Sequence, residues 1–277
     1  MSTTALAPAP TIAARVRWQL HDSLVLTRRN LAHVRQIPEK LIDVTLQPVM
    51  FVLLFAYVFG RVIHVPGGFH QYLFGGVAVQ TLAFGMMGPG VAIATDLKEG
   101  IVDRFRSLPI ARSAYLLGHL LAELAAATLA IAVLTASGLL IGWRIHSDFL
   151  HALGGFALLI GLAATMIWFG TLLGLLARSP DAVQGAAFVF VFPLTFIASA
   201  FVPISGLPAG LSTFAEYNPI SAFAAGVRTL FGNPAATPAG APWPLQHPAL
   251  ASLLWCVALL CIAVPGTLAI FRRRTTD

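Results

Sequence analysis

The run ALGGFALLIGLAATMIWFGTLLGLL, residues 152–176, contains no charged side chain. Because an α-helix rises about 1.5 Å per residue, a run of this length can cross the roughly 30 Å of hydrocarbon in a bilayer. Apolar runs of comparable length recur elsewhere in the chain, at residues 41–60, 72–95, 114–141, 183–202 and 250–270. The sequence therefore predicts an all-α integral membrane protein in which residues 41–270 form a domain of six transmembrane helices.

The composition excludes a soluble globular domain. Of the 277 residues, 57% are apolar and 10% are charged, whereas soluble domains carry about 25% charged residues. A membrane β-barrel is also excluded, because its strands are segments of about ten residues that alternate in polarity, and the runs here are long and uniformly apolar. Helices are the remaining way to cross the bilayer.

Positive charge is distributed unevenly between the two sides of the predicted membrane domain. Of the 17 Lys and Arg residues, only Arg61, Arg144 and Arg228 fall in the first, third and fifth connections, and the other 14 lie on the side of the termini. Cytoplasmic segments of membrane proteins are enriched in Lys and Arg. Both termini, including the tail at 271–277, are therefore predicted to be cytoplasmic. The net charge of +6 reflects membrane topology rather than a nucleic-acid partner.

The segment before the first apolar run has two parts. Residues 1–10 are small and proline-containing, and we expect this tail to be disordered. Residues 11–37 carry apolar side chains at helical spacing, with Arg28, Arg29 and Arg35 between them. This pattern predicts an amphipathic interface helix that lies on the inner membrane surface in contact with lipid. Periodicity alone leaves open whether the helix is only an anchor or also binds a partner.

The stretch DLKEGIVDRFRSLPIAR, residues 96–112, holds seven of the 28 charged residues of the chain. As a helix that follows Gly100, it places Ile101, Phe105 and Leu108 on one face. Most connections need only about 4–6 residues. A cytoplasmic loop of this length, spanning 96–113 and carrying an apolar stripe, predicts a docking surface for a partner protein.

The segment between the fifth and sixth runs is apolar at first but is broken by prolines. It is predicted to form two short helices, at about 208–216 and 219–230, because a proline disfavours helix in the residue before it. Non-helical backbone at bilayer depth is tolerated only where protein or a wet cavity covers it. The segment is therefore predicted to be a re-entrant or outer-leaflet hairpin.

Motifs of known enzymes do not occur in the sequence. There is no G-x-x-x-x-G-K-[ST] loop for ATP, no H-E-x-x-H and no G-x-S-x-G. We predict no catalytic residue, metal site or cofactor in this chain. Glu123 is the one acidic group clearly inside a span, and His119 lies one turn before it on the same face. A polar pair that joins neighbouring helices is favoured over a proton relay, since ion-coupled transporters carry more such groups.

Two clusters of aromatic and methionine side chains lie within the second and fifth runs. The first comprises Phe84, Met86 and Met87, and the second comprises Phe188, Phe192 and Phe196 at i, i+4 spacing. Such side chains offer adaptable apolar contacts to a large amphipathic compound. Plain packing or lipid contact explains the same pattern and is favoured for any single one of these residues.

The order of these features along the chain resembles a known family. The segments IDVTLQPVMFVLLFAYVFG, YLFGGVAVQT, DLKEGIVDRFRSLPIAR, FPLTFIASAFVP and YNPIS, with Arg228 after the last, are similar to segments of the permease subunits of type-2 ATP-binding-cassette (ABC) exporters. The branch that the chain resembles most is that of daunorubicin resistance.

The resemblance implies a dimer, homomeric or heteromeric, of six-helix permease subunits in a bacterial cytoplasmic membrane. Each subunit would rest on a separate cytoplasmic ATPase subunit that binds ATP and Mg²⁺, so this chain is not itself an enzyme. The interface helix would be a second contact with that ATPase. The implied function is export of an amphipathic drug, antibiotic, lipid or glycolipid. The alternatives are an ion-coupled secondary transporter and, less favoured, a membrane-embedded enzyme.

The resemblance also implies roles for individual residues. Asn218, Pro219 and Arg228 match the family's external helices, here 207–230, whereas many members carry an aromatic residue where this chain has Gly210. The second and fifth helices would line the substrate path, which favours a path role for the two aromatic clusters. The residues that match the family's coupling helix, which docks on the ATPase, are Glu99, Gly100, Asp103, Arg104, Phe105 and Arg106.

Overall fold

The computed structural model describes residues 38–60, 65, 67–100, 112–201, 204, 208–234 and 240–276. All regular structure within these residues is helical. The predicted tail and interface helix, residues 1–37, and the part of the coupling loop from 101 to 111 lie outside the described residues. The helices are α1 (Pro38–Phe59), α2 (Phe69–Phe84), α3 (Met87–Lys98), α4 (Arg112–Leu140), α5 (Phe149–Leu176), α6 (Pro180–Phe196), α7 (Ala209–Tyr217), α8 (Pro219–Leu230), α9 (Trp243–Gln246) and α10 (Pro248–Thr276).

Four segments are long and apolar enough to cross a membrane. They are Phe69–Lys98, Leu116–Leu140, Phe149–Leu176 and Pro248–Arg273, and two shorter apolar stretches, Leu46–Val58 and Pro180–Phe196, accompany them. These six segments correspond in order to the six apolar runs of the sequence. Length and composition therefore establish an all-helical protein with several membrane-spanning helices.

The second span, made of α2 and α3, is interrupted between Phe84 and Met87. The Gly85 amide donates to the Thr81 carbonyl at 2.9 Å, and the Met86 amide donates to the Ala83 carbonyl at 3.4 Å, which tightens the turn before α3 begins. Pro89 lies in the first turn of α3, where backbone amides have no partner within the helix. The GPG sequence at 88–90 thus starts the second half of the span, and the break falls just before it.

The two halves of the span pack differently, because α3 approaches α5 through backbone-to-backbone contact. A Cβ added to Gly170 would collide with the Met86 carbonyl, and one added to Gly174 would collide with the Gly90 carbonyl. A Cβ at Gly90 would itself lie 2.7 Å from the Gly170 oxygen. The small-xxx-small spacing of Gly170 and Gly174 is therefore used for close helix contact. The similar pair at 138 and 142 is different, since Gly142 has φ +98° and follows the end of α4.

Helix α6, which corresponds to the fifth apolar run, ends at Phe196, six residues before the end of that run. The chain then bends through Ile197–Phe201. Helices α7 and α8 follow at nearly the predicted positions, separated only by Asn218, which accepts a hydrogen bond from the Ile220 amide at 2.9 Å and so caps α8. The predicted re-entrant or outer-leaflet position of this hairpin stays a prediction.

An aromatic cluster fixes the connection after α4 against the rest of the bundle. The buried Trp143 ring stacks on Phe74 with 3.8 Å between centroids and meets Phe231 edge-on at 5.3 Å. Phe231 also contacts Phe156 of α5 at 5.0 Å. The end of the hairpin, the connection after α4 and the helices α2 and α5 therefore share one core.

The contact between α3 and α5 predicts the effect of one added methyl group. Gly170→Ala should lower the free energy of unfolding by about 1–3 kcal/mol, because its Cβ has no space beside the Met86 carbonyl. Gly185→Ala is the matched control, since nothing lies within 4 Å of its added Cβ, and it should be neutral or stabilise by up to about 1 kcal/mol. Thermal unfolding in detergent compares the two. Equal midpoints would contradict the close contact.

Candidate functional site

The side chain of Arg228 is the most deeply buried cation among the described residues, with 2% of its surface exposed. It extends from α8 to the start of the second span and to the bend after α6. Its Nε donates to the Tyr72 carbonyl at 2.7 Å, Nη1 to the Ser199 carbonyl at 2.9 Å and Nη2 to the Ala200 carbonyl at 2.8 Å. The guanidinium carbon also lies 3.6 Å from the centroid of the Tyr72 ring. We call this group of contacts the arginine clamp.

Two contacts of the clamp satisfy carbonyls that would otherwise be costly to bury. The carbonyls of Ser199 and Ala200 belong to the bend after α6, where no helix supplies their donors. Burying an unsatisfied carbonyl costs about 1–3 kcal/mol, and hydrogen bonds to a charged group contribute about 1.5–3 kcal/mol. A planar guanidinium with several N–H groups can serve three carbonyls at once and stack on a ring, which a lysine ammonium cannot.

Two glycines make room for the clamp on α2. A Cβ at Gly75 would lie 2.8 Å from the Arg228 Cγ, and a Cβ at Gly76 would collide with the Ala200 carbonyl. The bend and the arginine can therefore lie directly against the α2 backbone. This geometry explains why the segment YLFGG opens the second span.

Further hydrogen bonds attach the bend to the hairpin. The Tyr72 hydroxyl donates to the Ser199 carbonyl at 2.6 Å, and the Ser199 amide donates to the Ser221 hydroxyl at 2.9 Å. The Asn218 side chain donates to the Leu194 carbonyl at 2.7 Å, one of the last carbonyls of α6, which the end of the helix leaves without an intrahelical donor. The second span, the end of α6 and the hairpin thus form one connected unit.

A cavity of about 710 Å³ lies within the bundle beside this unit. Its volume falls in the range of about 300–1,000 Å³ that is typical of sites for drug-sized molecules. Helices α1 to α6 all contribute to its walls. The side chains that line it include Gln47, Phe51, Gln80, Thr81, Phe84, Met87, Glu123, Ala126, Ile167, Gln184, Phe188, Phe192 and Phe196.

One wall of the cavity is built from phenylalanine rings in contact with one another. The rings of α6 are partly exposed, at 52%, 38% and 48% for Phe188, Phe192 and Phe196. They belong to a longer series of rings that begins in α2, follows α6 and ends in α1. We call this series the phenylalanine ladder. Successive centroids are 6.2, 5.0, 4.2, 5.9, 4.2 and 6.0 Å apart, in the order Phe84, Phe188, Phe192, Phe196, Phe201, Phe55 and Phe51.

The residues predicted for a substrate path mostly meet at this cavity. Phe84 and Met87 line it from the second span and the three phenylalanines of α6 line it from the fifth. Met86 lies behind the wall, with 7% of its surface exposed, and its carbonyl faces Gly170. The sequence spacing did not separate Met86 from Met87, because the break in the second span changes which side chains face inward.

The predicted coupling residues lie at the far end of α3. Glu99 is exposed, and its amide donates to the Thr95 carbonyl at 2.9 Å. Gly100 follows with φ +67°, a left-handed conformation that ends the helix and that glycine adopts without strain. Asp103, Arg104, Phe105 and Arg106 lie outside the described residues, as do Arg28, Arg29 and Arg35 of the interface helix.

The two residues of the polar pair in α4 differ in burial. Glu123 is half-buried and lines the cavity, whereas His119 is buried. In the connection after α4, the Nδ1 atom of His146 forms a hydrogen bond with the side-chain Oδ1 of Asn233 at 2.7 Å. His151 bonds to the exposed Asp148 carboxylate, and this hydrogen bond holds the pKa of Asp148 below its ordinary value.

Sequence reasoning identified Arg228 only through the family resemblance and did not identify its partners. Tyr72, Ser199 and Ser221 lie within the segments that resemble the family, but all three acceptors of Arg228 are backbone carbonyls, which a sequence pattern does not reveal. Gln80, which is 4% exposed and lines the cavity, was also missed. An uncharged polar residue on a face of Val, Ala and Leu was the signal that could have found it.

These features define a multi-pass membrane protein with an internal recess large enough for a drug-sized molecule. The sequence profile of the ABC-2 type transporter family matches residues 22–231, and the chain belongs to this family.

Individual relatives are of the same kind. The chain is 29% identical over 249 residues, which cover 89% of it and 84% of the relative, to the daunorubicin resistance ABC transporter permease protein DrrB1 of Streptomyces coeruleorubidus. It is 28% identical over 217 residues, or 78% of it and 74% of the relative, to the doxorubicin resistance ABC transporter permease protein DrrB of Mycobacterium tuberculosis. A putative transport permease, ycf38 of Cyanophora paradoxa, is 22% identical over 77% of the chain and 75% of the relative. The resemblance inferred from the sequence is confirmed.

The arginine clamp predicts a large effect of a conservative substitution. Arg228→Lys should destabilise the protein by about 1.5–3 kcal/mol for each hydrogen bond that lysine does not remake. Arg144→Lys is the control, because this arginine also donates to two carbonyls, at 2.6 and 2.8 Å, but is exposed to solvent. It should cost less than about 0.5 kcal/mol. Thermal unfolding midpoints in detergent measure both, and similar shifts would rule out a special role for the clamp.

Proposed function

We propose that the chain is the membrane permease subunit of an ATP-driven exporter and that the cavity is part of its substrate path. The observation that carries this proposal is that the predicted aromatic clusters of the second and fifth spans meet at one drug-sized cavity. The family membership supports a transporter. The names of two relatives, permeases of daunorubicin and doxorubicin resistance, support a drug as substrate. An amphipathic antibiotic, lipid or glycolipid would suit the same mixture of phenylalanines and amides.

The proposed topology has six spans, of which α1 is the first and α6 is the fifth. Both termini and the coupling loop face the cytoplasm, as the distribution of Lys and Arg indicates. Under this topology the hairpin of α7 and α8 lies in the outer leaflet. Asn218 and Pro219 form its turn, and Arg228 anchors it. The interface helix, residues 11–37, lies against the inner surface and contacts the ATPase.

Two kinds of partner complete the proposed transporter. A second permease subunit, identical or different, completes the dimer, and a cytoplasmic ATPase subunit binds ATP and Mg²⁺ and contacts the loop at 96–113. Closure of the ATPase subunits would move this loop and therefore α3. Because α3 is packed backbone-to-backbone on α5 and is separated from α2 by the break at Gly85 and Met86, it can transmit that movement to the wall of the cavity.

An ion-coupled transporter is the second candidate, and the observation in its favour is that an acidic residue, Glu123, lines the cavity. Intramembrane carboxylates commonly mark proton or ion pathways. Vesicles that contain the chain and its ATPase separate the two candidates. Export that requires ATP and ignores a proton gradient supports the exporter, and export that persists without ATP under a proton gradient supports the alternative.

The coupling role predicts a defect confined to energy transfer. Replacing Glu99, Asp103 and Arg104 together by Ala should leave membrane insertion unchanged and reduce ATP-driven export by about tenfold or more, because the docking surface loses its charges. Export into inside-out vesicles, with ATPase activity measured in parallel, detects the loss. The control is Asp148→Ala, which removes an exposed carboxylate from the opposite end of the bundle. Normal export by the triple variant would contradict the coupling assignment.

A further inference from the structure

The last helix, α10, is buried along one face and exposed along the other. Its buried side chains recur at helical spacing, and its most exposed apolar side chains lie on the opposite side. The buried residues include Ser252, Cys256, Ala263, Thr267 and Phe271, and the exposed residues include Leu253, Leu254, Val257 and Ile262. A movement of α10 together with the helices on its buried face would therefore break few protein contacts on its exposed face.

One end of α10 packs against the part of α3 that leads into the coupling loop. Phe271 forms a buried cluster with Ile93 of α3 and Leu175 of α5. Leu97 packs against the same cluster, and its carbonyl accepts a hydrogen bond from the Gly100 amide at 3.3 Å. The last turns of α3, α5 and α10 therefore form one packed unit at the start of the coupling loop.

The other end of α10 packs against the hairpin of α7 and α8. A Cβ added to Gly226 of α8 would lie 2.7 Å from the Ser252 Oγ and 3.1 Å from the Pro248 carbonyl oxygen. The Ser252 hydroxyl donates to that same carbonyl at 2.7 Å. Gly226 lies two residues before Arg228, which holds the hairpin to α2 and to the bend. The first turn of α10 is thus in close contact with the α8 backbone beside the arginine clamp.

Between these two ends α10 is one continuous helix, which includes Pro265. Its middle part stays close to α5, since a Cβ on Gly266 would lie 3.3 Å from the Leu172 Cδ1 atom. Packed side chains and rigid helices are the parts of a protein that carry energetic coupling between distant sites. A continuous helix that is packed at both ends can therefore carry a displacement from one end of the bundle to the other.

We propose that α10 carries the movement of the coupling loop to the hairpin of α7 and α8, and that Phe271 is the positioning residue that engages α10 with α3. The inference rests on the proposed function and adds a second route for the movement, besides the one from α3 to the cavity wall. Movement of α3 displaces Phe271, and α10 then shifts against the α8 backbone at Gly226. The position of the hairpin therefore follows the state of the ATPase.

Hydrogen–deuterium exchange at the two ends of α10 tests this route. The complex of the full chain with its ATPase subunit is reconstituted in nanodiscs and compared without nucleotide and after trapping with ATP and vanadate. In the wild type, trapping should change amide exchange by about threefold or more both in the coupling loop, residues 96–113, and in α7 and α8. In Phe271→Ala the loop should respond as in the wild type, while the response of α7 and α8 is lost.

Matched variants separate this role from a general loss of stability. Ile262→Ala shortens an exposed side chain of the same helix and should respond as the wild type does, and Phe271→Leu, which keeps the cluster apolar, should retain the response of the hairpin. Ile93→Ala removes the same contact from the α3 side and replaces Phe271→Ala if that variant does not fold. Where both fold, the double variant should be no more defective than either single variant, because the two share one contact.

The outcomes distinguish failure of this inference from failure of the proposed function. If the hairpin responds in Phe271→Ala and in Ile93→Ala as it does in the wild type, α10 is not the route. If trapping changes the coupling loop of the wild type but not its hairpin, the inference is also wrong, although the exporter stands. If trapping changes neither segment of the wild type, the proposed function is wrong and the inference falls with it.

Discussion

The guanidinium of Arg228 is buried against three backbone carbonyls and one tyrosine ring. These contacts determine how the second span, the end of α6 and the hairpin fit together. Removing a charge from water costs several kcal/mol, and the cost is recovered only where the geometry is good and the donors are satisfied. Two of the acceptors are carbonyls of the bend after α6, and the third is the Tyr72 carbonyl of α2. The buried charge and the bend therefore stabilise each other.

This mutual dependence shapes the cavity. Because the bend holds the end of α6, the helix stops at Phe196 with its phenylalanine face toward the cavity. The small residues at 75 and 76 allow the bend to lie on α2, and the glycines of α5 allow α3 to lie on the opposite side. Close backbone contacts thus surround a recess that large side chains only partly fill.

The sequence predicted the all-helical class and the long apolar segments correctly, since apolar length is a local property. It predicted less well where tertiary contacts decide the outcome. The break in the second span determines which neighbouring side chains reach the cavity, and the spacing of the residues does not show it. Met87 lines the cavity, whereas the adjacent Met86 is not part of its lining. The acceptors of Arg228 are backbone atoms at distant positions, which no side-chain pattern reveals.

Hydrogen–deuterium exchange of the bend tests the arginine clamp most directly. In wild-type protein in nanodiscs, the amides of residues 197–201 should be protected, since the Ser199 amide donates to Ser221 and the adjoining carbonyls are held by Arg228. In Arg228→Lys these amides should exchange at least about tenfold faster, while those of α5 remain unchanged. Equal exchange of the bend in the two proteins would show that the arginine does not hold it.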